Sequence, residues 1–69
     1  MKLLTIEQHK IMSKGLALGI RVYFDPLHVL NIEYKGHVVK KYQYKKDTDQ
    51  QERIIASYKY FSENIDELI

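Results

Sequence analysis

The sequence predicts an α+β domain with the element order α-β-β-β-α, in which a three-stranded antiparallel sheet has both helices packed on one face. Two threonine capping boxes mark the starts of two helices. Between them, apolar residues recur with the period of two that is typical of strands. The turns in that region are too short for crossover connections, which favours antiparallel pairing. A chain of 69 residues is expected to form a single domain over 1–69.

The first helix is predicted over residues 5–14. Thr5 and Gln8 have the spacing of a capping box. Lys14 and Gly15 form a stop signal, with a cation in the last turn and a glycine where a left-handed residue is favoured. The apolar stripe of this helix is thin and consists of Ile6, Ile11 and Met12.

Strand 1 is predicted over residues 16–24, and the turn chemistry of Asp25-Pro26 ends it. Its apolar face is uninterrupted and comprises Leu16, Leu18, Ile20, Val22 and Phe24. The inward face of strand 2 comprises Leu30, Ile32 and Tyr34. Lys35-Gly36 is the expected hairpin turn, since glycine tolerates a positive φ.

Strand 3 is predicted from residue 37 to residue 45, and strict alternation divides it into two faces. The core-side face would hold Val38, Lys40, Tyr42 and Tyr44. The opposite face would hold Val39, Lys41, Gln43 and Lys45.

The last helix is predicted over residues 48–67, beginning at the capping-box pair Thr48 and Gln51. Apolar residues follow at intervals of four and three, the spacing of one helical face. This stripe is Ile54, Tyr58, Phe61, Ile65 and Leu68, widened by Ile55. We expect its central residues to pack on Leu18, Ile20, Val22, Leu30 and Ile32.

The composition argues against several functional classes. The chain has no cysteine, so thiol nucleophiles and cysteine-based zinc sites are excluded. No phosphate-binding glycine loop or catalytic motif occurs. His9, His28 and His37 fall in three different predicted elements, which does not favour a metal site. We therefore predict a non-enzymatic protein without metal or cofactor.

The absence of cysteine suits a reducing compartment. The amino-terminal segment lacks the pattern of a signal peptide, and no apolar run approaches the length of a membrane span. These features predict a cytoplasmic protein that does not bind membranes. The formal net charge of +2 is small, so any basic function would depend on local clustering.

The segment HVVKKYQYKK, residues 37–46, is the one basic cluster and has three interpretations. Lysines on an edge strand prevent pairing with other chains. Alternatively, tyrosines and charged groups can bind a protein partner, here through Arg21, Tyr23, Lys41, Gln43 and Lys45. Tyrosines among lysines can also bind nucleic acid, through His28, Lys35, Lys40, Lys41, Lys45 and Lys46. An exposed edge strand would also permit a homodimer.

The element order, with Pro26-Leu27-His28 between strands 1 and 2, resembles the double-stranded-RNA-binding domain. The resemblance implies that this loop enters the minor groove and that lysines at the start of the last helix contact phosphates. The sequence departs from the family there. Asp25 stands in place of the loop glycine, Thr48-Asp49 in place of two lysines, and Gln51-Glu52 in place of Ala-Lys. The resemblance makes nucleic-acid binding the alternative function.

In size and element order the chain is also similar to small phage-encoded inhibitors, including anti-CRISPR proteins. This resemblance implies a protein that acts by occupying a surface of its partner. Acidic residues follow the lysines within a few positions, and such mixed charge favours a protein partner over nucleic acid. The preferred hypothesis is therefore a protein-binding inhibitor or adaptor.

Overall fold

The computed structural model describes residues 3–69 and confirms the α+β order α-β-β-β-α. The three strands form one antiparallel sheet in the order β1-β2-β3. The elements are α1 (Ile6–Ala17), β1 (Ile20–Phe24), β2 (Val29–Tyr34), β3 (His37–Gln43) and α2 (Gln50–Glu63), followed by a 3-10 helical turn (Ile65–Leu68).

Helix α1 begins as predicted but ends later. Thr5 is the N-cap and forms the complete capping box with Gln8. The predicted stop at Gly15 is wrong, because Gly15 is buried inside the helix against the ring of Tyr58. The left-handed glycine that follows the helix is Gly19, with φ +89°. Gly19, rather than Gly15, therefore ends the helix.

The later end of α1 shortens the first strand from the predicted 16–24 to Ile20–Phe24. Leu16 and Leu18 are 50% and 39% exposed, so the predicted core role of Leu18 is wrong. Ile20 and Val22 are buried as predicted. The alternation before residue 20 reflects the last turn of a helix and its cap rather than a strand.

Strands β2 and β3 are joined by the predicted Lys35-Gly36 turn. Both residues have positive φ, 52° and 87°, as a type I′ hairpin turn requires. A β-bulge then shifts the register between Ile32 and Glu33, so that Val38 lies opposite Glu33. Val38 consequently lies on the face away from the helices, and its predicted place on the core-side face is wrong.

Helix α2 is shorter than the predicted 48–67. Asp49, rather than Thr48, is the N-cap, and its carboxylate accepts a 3.2 Å hydrogen bond from the Glu52 N–H. The helix ends at Glu63, because Asn64 leaves helical geometry and its side chain donates to the Tyr60 carbonyl. The 3-10 turn then brings Leu68 into the core.

The core lies between the sheet and the two helices, and Phe61 and Tyr58 belong to it as predicted. Ile54 and Ile65 pack at its margin, whereas Ile6, expected in the α1 stripe, is 78% exposed. The buried members of this cluster are Ile20, Val22, Leu30, Ile32, Tyr58, Phe61 and Leu68. Both helices contact β1 more extensively than β2 or β3, so the helical layer is displaced toward one edge of the sheet.

Candidate functional site

Within residues 3–69, no other element covers the sheet face opposite the helices, and this face carries both signs of charge. Cross-strand pairing aligns Arg21 with Glu33 on the neighbouring strand, and Tyr23 with Asn31 and Lys41. Arg21, Tyr23 and Lys41, predicted as partner-binding residues, are thus brought together here. We call this surface the open face and define it by Arg21, Tyr23, Glu33, Val38 and Lys41.

Tyr23 and Glu33 form a polar pair on the open face. A hydrogen bond with the Glu33 carboxylate raises the pKa of Tyr23 above its ordinary value, so the hydroxyl remains a donor. Tyr23 is 36% exposed, so part of the residue is accessible from solvent. Glu33 and Val38 were missed as members of this surface, because their placement depends on the bulge and the register.

The turn between β1 and β2 is organised by Asp25. Its carboxylate accepts hydrogen bonds from the Leu27 N–H at 2.9 Å and the Val29 N–H at 3.1 Å. The side-chain amide of Asn31, which is only 5% exposed, donates to the same carboxylate at 3.3 Å. These hydrogen bonds lower the pKa of Asp25, and the bond from the Val29 N–H has the largest effect. The buried Asn31 therefore fixes the turn rather than offering a free amide to a partner.

Gln43 was predicted to contact a partner, but its side chain is engaged within the domain. Its amide nitrogen donates to the carbonyl oxygens of Leu27 at 2.9 Å and Tyr44 at 3.0 Å. It thereby braces the β1–β2 turn against the end of β3. Lys45 follows β3 and is exposed. It continues the row of lysines along β3 past the end of the open face.

The residues predicted for nucleic-acid binding are spread over the sheet. His28 and Lys35 lie before and after β2, which separates them by about 23 Å at the usual rise of a strand. The Nδ1 atom of His28 is buried and has no hydrogen-bond partner among residues 3–69. The amine of Lys35 lies 5.3 Å from the centre of the Tyr34 ring.

The remaining lysines predicted to bind nucleic acid do not lie on one surface either. Lys40 pairs with the core residue Ile32 and so lies on the helix side, whereas Lys41 lies on the open face. Lys45 and Lys46 follow β3 close to His28, whose carbonyl accepts from the N–H of the residue before them. Of the six residues predicted to bind nucleic acid, only His28, Lys45 and Lys46 lie together at one end of the sheet.

A groove between β3 and α2 was not predicted as a site. Because the helices lie toward β1, the helix side of β3 stays partly uncovered, and Tyr42 is 41% exposed. The groove has a volume of about 300 Å³. We call it the tyrosine groove; its principal side chains are Tyr42, Tyr44, Arg53, Tyr60, Phe61 and Glu67.

Hydrogen bonds and ring contacts order the walls of the tyrosine groove. The Tyr60 hydroxyl donates to the Glu67 carboxylate, and this bond raises the pKa of Tyr60. The rings of Tyr60 and Phe61 meet edge to face at 4.9 Å. Tyr44 makes a similar contact with Phe24 at 5.7 Å. Sequence periodicity could not reveal this groove, because it depends on the displacement of α2 across the sheet.

The structure brings no metal-ligand cluster together in the part of the chain that it describes. Groups of three or more histidine, cysteine or carboxylate side chains with suitable geometry do not occur there. His9, His28 and His37 lie on α1, in the β1–β2 turn and on β3. Within residues 3–69, neither helix has the length and apolar character needed to cross a membrane.

Comparison with known proteins gave no significant match to a family model, a curated protein or a solved structure. The resemblances to the double-stranded-RNA-binding domain and to small phage inhibitors therefore stay predictions.

Proposed function

We propose that this protein is a non-enzymatic binding module that acts by occupying a surface of a partner protein, as an inhibitor or an adaptor does. One observation carries the proposal. Both helices pack on the same side of the sheet, so no element of residues 3–69 covers the open face. A face of this kind, with an aromatic residue among charges of both signs, suits a protein partner whose complementary charges give specificity.

Tyr23 is the expected centre of the contact. Its side chain is partly exposed and interacts with Glu33. Lys41 lies two strands away on the same row. Aromatic side chains contribute much of the binding energy at interfaces because they bury a large area at a low entropic cost. Arg21 lies on the adjacent row and supplies a planar cation for a carboxylate of the partner.

Nucleic-acid binding is the alternative function, and the distribution of the lysines supports the protein partner over it. A duplex is bound through contiguous phosphate contacts. Here His28 and Lys35 lie at opposite ends of β2, and Lys40 and Lys41 lie on opposite faces of the sheet. Asp49 caps the start of α2, where the double-stranded-RNA-binding domain that the element order resembles would place lysines.

The test uses a photo-crosslinking amino acid at position 23 in extracts of the native host. We expect a crosslinked protein whose yield falls at least tenfold when excess unlabelled protein competes. The Arg21→Glu, Lys41→Glu variant should compete poorly. The Lys10→Glu, Lys14→Glu variant makes the same change in charge on exposed positions of α1 and should compete fully.

A salt titration against duplex RNA, duplex DNA and single-stranded probes tests the alternative. Binding to nucleic acid has a steep salt dependence, because each neutralised phosphate releases counterions. Micromolar or tighter binding at physiological salt, abolished by Lys45→Glu with Lys46→Glu, would overturn the proposed function.

A further inference from the structure

The two edges of the sheet are different. At the β1 edge, the Val22 N–H points outward and donates to the buried Tyr58 hydroxyl. At the β3 edge, the Tyr44 N–H donates to the His28 carbonyl across the ladder. Because hydrogen bonding alternates along an antiparallel strand, the backbone groups of Lys41 and Gln43 point away from β2. Strand β3 thus presents N–H and C=O groups to an incoming strand, whereas β1 is blocked at its centre.

The tyrosine groove lies directly beside this open edge. Tyr42 projects from β3 on the helix side, opposite the core residue Leu30. In a fourth strand, a residue paired with Tyr42 would project to the same side and enter the groove next to Tyr60. An apolar or aromatic side chain there would contact the tyrosine rings, and the groove volume of about 300 Å³ accommodates one such side chain.

Charge selects the occupant of the edge. Lys40 and Lys41 lie on β3, and Lys45 and Lys46 follow the strand after Tyr44. A second copy of this chain, paired edge to edge, would place like charges opposite one another, which is destabilising. An acidic strand would instead place carboxylates beside these lysines.

We propose that β3 binds an acidic, extended segment of a partner protein as a fourth strand, with one apolar or aromatic side chain in the tyrosine groove. This inference rests on the proposed function and names the class of partner segment and its mode of binding. Main-chain hydrogen bonds would supply affinity, and the groove and lysines would supply specificity, as in other cases of strand addition.

The test is a selection from a library of random twelve-residue peptides displayed as fusions and panned on the immobilised protein. We expect the selected pool to be enriched in aspartate and glutamate, with apolar or aromatic residues at alternate positions. Affinity of a selected synthetic peptide should fall at least tenfold for the Lys41→Glu, Lys45→Glu variant. The charge-matched Lys10→Glu, Lys14→Glu variant should bind it normally.

Amide hydrogen exchange of the protein with the bound peptide locates the strand. We expect exchange at Lys41 and Gln43 to slow at least tenfold, because their N–H groups become bonded. Failure to enrich peptides, enrichment of basic or neutral ones, or protection away from β3 would overturn the inference. If crosslinking from position 23 still captures a competed partner in that case, this inference fails and the proposed function stands.

Discussion

The hydroxyl oxygen of Tyr58 lies 3.0 Å from the backbone nitrogen of Val22 and accepts its hydrogen bond. This contact joins the middle of α2 to the outer edge of β1. Tyr58 is 3% exposed, and its ring lies against Gly15 of α1. One side chain therefore connects both helices to the sheet and blocks one of its two edges.

Replacing Tyr58 by phenylalanine tests this connection. The ring is retained, but the Val22 N–H loses its acceptor in a buried setting. We expect the free energy of unfolding to fall by about 1–3 kcal/mol, the cost of an unsatisfied buried donor. Urea denaturation measures it, and Tyr42→Phe at a 41% exposed position is the control. Equal midpoints for the two variants would contradict the assigned role of the hydroxyl.

Gly15→Ala should destabilise the protein although alanine favours a helix. A Cβ atom there would lie 3.2 Å from Cε1 of Tyr58 and closer still to Cδ1. Overpacking of this kind typically costs about 1–3 kcal/mol, against a propensity gain of about 1 kcal/mol. We expect a net loss, since the hydroxyl bond limits movement of the ring. The exposed Ser13→Ala in the same helix is the control, and a more stable Gly15→Ala would refute the close packing.

Phe61→Ala should remove much of the stability of so small a domain. Phe61 is 5% exposed and belongs to the core cluster. Loss of a buried phenylalanine costs about 3–5 kcal/mol through lost transfer energy and the cavity left behind. Thermal unfolding followed by circular dichroism measures the change. Lys59→Ala, an exposed position on the same helix, should leave the transition within about a degree or two.

Acid should weaken the turn that Asp25 organises. Its pKa is lowered in the folded state, so its contribution to stability is present above the unfolded value and is lost as pH falls below about 4. We expect Asp25→Asn to be less stable than the parent protein at pH 7, with a difference that shrinks toward pH 2. Denaturant midpoints at several pH values provide the comparison. A difference that stays constant with pH would mean that the carboxylate charge is unimportant.

The elements that the sequence predicted well are those governed by local rules. The Thr5 capping box, the Lys35-Gly36 turn and the buried side of α2 at Tyr58 and Phe61 all follow patterns of residues close in the chain. The role predicted for Gly15 was wrong because glycine is needed there to make room for the ring of Tyr58, which is distant in sequence. The extra residue in the bulge likewise gives no sequence signal, and it moved Val38 to the other face.

The candidate surfaces show the same contrast between features set by local sequence patterns and features set by contacts between distant residues. Alternation in β1 placed Arg21 and Tyr23 together, and the edge position of β3 was expected. The tyrosine groove and the internal bonding of Gln43 depend on how separate elements meet in three dimensions. No sequence pattern indicates how these elements pack against one another. The groove and the Gln43 hydrogen bonds are therefore evident only in the three-dimensional structure.

The type I′ turn at Lys35-Gly36 has a consequence for the route by which the chain folds. A two-residue loop lets β2 and β3 zip together on the scale of about 1–10 μs, the time for an isolated hairpin. The bond between Val22 and Tyr58 instead closes a loop of 36 residues, and its entropy must be lost before the contact forms. The hairpin is therefore expected to form early and transiently, and arrival of α2 on β1 to be the slow, committing event.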